Sequence, residues 1–145
     1  MIPTALAFGA LAGAILLFLS HLAPKIGARN FIRDLDDPHF FGQDVTHREA
    51  HLLGALTHLV MSGVFGGVYA YLVSLGIFSD YGFLSVVIWG FITSVFIGGV
   101  VLPIEGHGIF GIKEDHWFPI DLVLTSLVWS VVFWGLMHLW PHLLS

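Results

Sequence analysis

The chain contains no cysteine, which excludes disulfides, thiolate metal sites and thiol nucleophiles. Any metal must therefore be held by His, Asp, Glu or backbone oxygen. Charge is scarce too: 10% of the residues are Asp, Glu, Lys or Arg, and five basic residues face ten acidic ones. That balance leaves no basic surface for nucleic acid. Phosphate loops, nucleophile elbows and nucleotide-binding patterns are also missing, so the motifs of soluble enzymes do not apply. What the sequence has in quantity is apolar surface. With 57% hydrophobic residues among 145 and a mean hydropathy of +0.89, it lies far outside the composition of a soluble domain. The chain belongs in a membrane, and its length suits one domain.

A span of the hydrocarbon core takes about 20 apolar residues. The runs of that length predict helices over 4–22, 47–76, 83–103 and 119–140, joined by polar loops 23–46 and 104–118 and a tight turn at Ser79-Asp80-Tyr81-Gly82. The fold class expected is an all-α membrane protein, a four-transmembrane-helix bundle. Both long loops then lie on one side. All five basic residues, Lys25, Arg29, Arg33, Arg48 and Lys113, fall on that side, which the positive-inside rule places in the cytoplasm, with both termini outside. Nine of the ten acidic residues, all but Asp80, lie there as well, so the rule is applied to Lys and Arg alone. The first segment has no basic residue before it and Lys25 and Arg29 after it, the reverse of a cleaved signal peptide, and reads as a retained anchor.

Lipid gives helices no hydrophobic reason to associate, so small residues must let backbones meet. Ala5, Gly9 and Gly13 form such a stripe in the first helix, Gly63 and Gly67 in the second, and Gly90, Ser94 and Gly98 in the third. They predict a compact bundle, and their number also suggests a homo-oligomer or a place in a larger membrane complex. Trp140, and the Trp117-Phe118-Pro119 run on the loop side, suit the membrane interface.

Chemistry concentrates in histidines and carboxylates. Thr46-His47-Arg48-Glu49 fits a capping box, with Thr46 as the cap and Glu49 reaching back to it. Steps of four and seven place His47, His51, His58, Ser62 and Tyr69 on one face of the second helix, pointing into the bundle. His58 lies ~10 Å deeper than His51, and an ionisable group at that depth is a functional candidate. His47 and His51 have the i, i+4 spacing that offers two imidazoles to one metal, although Glu49 stands in the wrong position for HExxH. Glu105, His107 and Asp121 sit at the same membrane level, so the expected metal set is His47, His51, Glu105, His107 and Asp121, with zinc, iron or manganese as the ion. Glu114, Asp115 and His116, and Asp34, Asp36, Asp37, His39 and Asp44 in the first loop, add to the pool. The competing reading is that these groups are simply solvated, capping or paired. Haem or chlorophyll is a lesser expectation, with His21, His51 and His58 as cofactor-binding candidates. Thr93, Ser94, Thr125 and Ser126 continue a broken polar series, but hydroxyls in membrane helices commonly bond back to their own backbone.

Leu22-Ala23-Pro24, Gly54 with His58, Gly63, Gly66 and Tyr69, and Pro103 followed by Gly108-Ile109-Phe110-Gly111 resemble the YagU-like four-helix bacterial inner-membrane proteins. The resemblance implies a bacterial inner-membrane location and the same layout, and carries no activity with it. The function expected is a non-catalytic component that binds a divalent metal or a partner subunit through a His-, Asp- and Glu-rich cytoplasmic face. The alternatives are a membrane-embedded metal-dependent enzyme acting on a lipid or quinone, and a tetrapyrrole-binding accessory subunit of a redox or light-harvesting assembly.

Overall fold

Four long apolar helices account for most of the chain in a computed structural model, which describes residues 1–26, 39–40, 43–44, 46–113 and 115–143. The first helix runs over Ile2–Leu22 and the second over His47–Ser74. The third starts at Phe83 and, through a change of pitch described below, continues to Glu105. The fourth covers Phe118–Leu143. All four are long and apolar enough to cross a membrane, and the chain is an integral membrane protein with an all-helical bundle. A two-residue antiparallel pairing, His39 with Asp44 and Phe40 with Gln43, lies in the first loop.

The start of the second helix follows from its sequence. Glu49 N–H donates to the Thr46 hydroxyl at 3.4 Å, and Glu49 Oε2 accepts from Thr46 N–H at 3.0 Å, which satisfies donors that a helix start leaves open. Beyond it, Leu52, Leu56, Val60, Val64 and Val68 recur every four residues and are all exposed. This stripe faces lipid. On the opposite face Ser62 and Tyr69 are buried, as their spacing predicts.

Small residues bring the first two helices together. A Cβ added at Gly9 would lie 3.2 Å from the Cα atoms of both Gly63 and Gly66, and one at Gly63 would lie 3.2 Å from the Leu6 carbonyl. Gly90 meets Ser130 of the fourth helix in the same way, and Gly98 meets the Phe110 ring. All three stripes therefore serve contacts within the chain, and self-association loses them as an argument. Close packing joins the first helix to the second and fourth, and the third to the fourth. Trp129 locks the centre by donating its indole N–H to the Gly9 carbonyl at 3.2 Å. Away from the loops, Tyr69, Trp89, Phe133 and Trp129 form a buried aromatic cluster, with Trp129 and Phe133 stacked at 4.9 Å.

The third helix departs from expectation. It does not stop at residue 103. Over Ile97–Val101 it widens into a π-helical turn, in which Leu102 N–H reaches Ile97 O, five residues back, and it then runs through Leu102–Glu105. Pro103 supplies the reason. Proline has no N–H to donate, and its ring crowds the carbonyl four residues back, so a regular helix cannot run through it unchanged. Gly106, at φ 97°, ends the helix: its N–H and that of His107 reach back to the last open carbonyls, a left-handed cap that glycine adopts without strain.

Candidate functional site

Most polar side chains within the spans are satisfied locally. Thr93 donates to Gly90 O at 2.8 Å, Ser94 to Phe91 O at 2.8 Å, Thr125 to Asp121 O at 2.7 Å and Ser130 to Ser126 O at 2.9 Å. Each bonds to its own helix, as the sequence suggests. Tyr69 donates to Asp80 O at 2.9 Å in the turn away from the loops, and so acts as a packing residue of the aromatic cluster. The polar series is thereby interrupted, because that cluster separates the Tyr69 end from the rest.

Two ionisable side chains stand apart from these hydroxyls, His58 and Asp121. His58 lies three turns into the second helix, hydrogen bonded to the backbone of Gly13, and its Nε2 is buried without a hydrogen-bond partner. A buried donor or acceptor left in that state costs about 1–3 kcal/mol. Asp121 occupies the first turn of the fourth helix, where the helix dipole favours a carboxylate, and its Oδ2 is buried. Both side chains line one cavity of about 110 Å³. Its polar lining is completed by Ser62, Thr93, Thr125 and Ser126, and its aromatic walls are Phe65, Phe118 and Trp129. An apolar cavity of ~150 Å³ admits benzene, so this smaller one has room for no more than a single small ring. Ligand pockets for larger groups run to ~300–1,000 Å³.

The other predicted residues lie elsewhere. His21 and His51 meet at the loop-side end of the first two helices, with ring centroids 5.8 Å apart and planes inclined at 65°. Glu105 closes the third helix and His107 is buried just beyond it. The predicted metal set includes His47, whose side chain is not described; among the described residues no three His, Asp or Glu side chains are grouped as a metal ion would require. The His47, His39 and Asp44 side chains, and Asp34, Asp36, Asp37 and Glu114, lie outside the described residues.

Several cavity residues were not distinguishable beforehand. Phe65 and Trp129 are apolar residues in apolar helices and carry no signal of their own. Phe118 reads with Trp117 as an interface anchor, yet only Trp117 is exposed, at 60%, while Phe118 is buried. Trp117 lies in the turn before the helix and Phe118 is its first residue, so the two side chains need not share a direction. No family model, no curated protein and no solved structure matches the chain.

Proposed function

We propose that this protein is a binding component of the membrane, whose ligand is a flat, uncharged, lipid-soluble ring carrying oxygen substituents, of the quinone class. One observation carries the reading: a ring-sized cavity inside the bundle, walled by Phe65, Phe118 and Trp129, with an unpartnered His58 Nε2 at its edge. Aromatic walls suit a flat ring; Nε2, left as an acceptor by the bond from the same ring to Gly13, suits a phenol hydroxyl as in the reduced, quinol form, and the lining hydroxyls suit either kind of oxygen. The aromatic cluster beyond the cavity favours binding over passage. Mass spectrometry of organic extracts from the purified protein tests this. A ring compound retained near one per chain, and lost in His58→Leu, is the expected result; extracts holding only bulk lipid in both proteins refute it.

A second reading, divalent-metal binding at the loop-side face, is favoured by the His21–His51 contact. Metal analysis decides it, since a content near zero that His51→Ala leaves unchanged removes it. On either reading the five basic residues orient the loops to the cytoplasm. The cysteine-free sequence makes that measurable: a single Lys113→Cys should resist an impermeant maleimide in intact cells, whereas Ser79→Cys should react.

A further inference from the structure

The way the helices meet around the cavity bears on how a ligand reaches it. Three helix pairs are joined by close backbone packing, but the second and third helices meet through long side chains. Trp89 donates its indole N–H to Phe65 O at 3.1 Å, and the Phe65 and Phe96 rings meet edge-on with centroids 6.3 Å apart. The cavity is lined from both sides of this seam, by His58, Met61 and Phe65 on one side and Thr93 and Ile97 on the other. Phe65 is thus a wall of the cavity and half of the aromatic pair that closes the seam. Its partner Phe96 is 45% exposed, where lipid would be. Immediately after Phe96 the π-helical turn begins, a departure from regular geometry that concentrates at functional sites.

The cavity's size adds an independent constraint. About 110 Å³ is no more than one small ring needs, so a longer amphiphile must leave its chain outside. The aromatic cluster blocks the far end, and the carboxylate of Asp121 stands towards the loops. The seam, flanked by apolar side chains, is the exit that suits a hydrocarbon chain.

The geometry points to a lateral portal between the second and third helices, closed by Phe65 and Phe96, through which an alkyl- or isoprenoid-tailed ring enters from the hydrocarbon phase. The ring occupies the cavity while the tail stays in the seam. This rests on the cavity being a ligand site, and the test separates the two claims. The protein is placed in lipid nanodiscs, and quenching of tryptophan emission, with Trp129 in the cavity wall, is followed with decylubiquinone and with tailless duroquinone. His58→Leu, which removes the Nε2 acceptor, should weaken both probes in their reduced, quinol forms. Phe96→Ala should speed decylubiquinone association roughly two- to ten-fold, the range set by losing one aromatic pair, and leave duroquinone affinity unchanged. Phe96→Leu, which keeps an apolar side chain facing lipid, serves as the second variant if the alanine protein does not fold, with the same effect expected in smaller degree. His58-dependent quenching whose rate ignores both Phe96 variants overturns the portal and leaves the cavity reading standing. No quenching by either probe overturns both.

Discussion

Replacing Gly9 by alanine should separate the first two helices, while the same replacement at Gly135 should not. A methyl group at Gly9 would lie 3.2 Å from the Cα atoms of Gly63 and Gly66, and closer still to the Ser62 carbonyl oxygen. Ordinary carbon contact is about 3.5–4.0 Å, and a gap of about 0.5–1 Å forfeits a quarter to a half of each pairwise attraction of ~0.1–0.2 kcal/mol. If the seam holds roughly 40–60 such pairs, as many as one buried leucine makes, the loss is about 2–4 kcal/mol. Alanine returns about 1 kcal/mol through its better helix propensity, leaving a net destabilisation of about 1–3 kcal/mol, the usual range for overpacking. Gly135 has no atom within 4 Å of the position a Cβ would take, so Gly135→Ala should be neutral or gain about 0.5–1 kcal/mol. Reversible unfolding in mixed micelles with increasing SDS, followed by circular dichroism, measures both. A Gly9→Ala protein as stable as Gly135→Ala would refute the packing argument at its root.

Trp129→Phe keeps the ring in the aromatic cluster but loses the 3.2 Å bond to Gly9 O, and should cost about 0.5–1.5 kcal/mol in the same unfolding assay. Thr46→Ala should lower stability by about 1 kcal/mol through loss of the helix cap, yet leave any bound ring or metal at wild-type content in the extract and metal analyses. In the turn away from the loops, partial burial holds the Tyr81 phenol above its ordinary value. Because the unfolded chain releases this proton first, stability is intact below pH ~10 and declines as pH rises from there through the folded-state value. Tyr81→Phe should flatten that decline in alkaline unfolding curves, and an unchanged slope would count against it.

Much of the architecture is legible because a bilayer imposes simple rules. Span length fixes the four helices, the four-residue spacing of Leu52 to Val68 separates lipid from bundle, and Thr46 with Glu49 marks a helix start by local hydrogen bonding alone. The hydroxyls of Thr93, Ser94 and Thr125 also behave as their helices dictate. The site was harder to read. His58 and Asp121 could each be picked out, one by depth and the other by charge, but their sharing of a cavity depends on how helices far apart in sequence pack. The level of a residue in the membrane is set by its position along one helix, whereas grouping depends on the angle at which each helix presents it. A shared level read from the sequence therefore does not by itself make His51, Glu105, His107 and Asp121 a group. The π-helical turn has no mark of its own in the sequence, because Pro103 looks like a helix end, whereas its steric demand is met by widening the turn before it.

The aromatic cluster of Tyr69, Trp89, Trp129 and Phe133 makes the two leaflets unequal for this protein. The cavity lined by His58 and Asp121 lies in the half next to the long loops, and rings fill the bundle interior in the other half. A molecule whose head resides in the loop-side leaflet meets a receptive surface, and the same molecule in the opposite leaflet meets a packed wall. Occupancy would then report the composition of one leaflet alone, and a vesicle whose leaflets differ would be read differently by chains inserted in opposite senses.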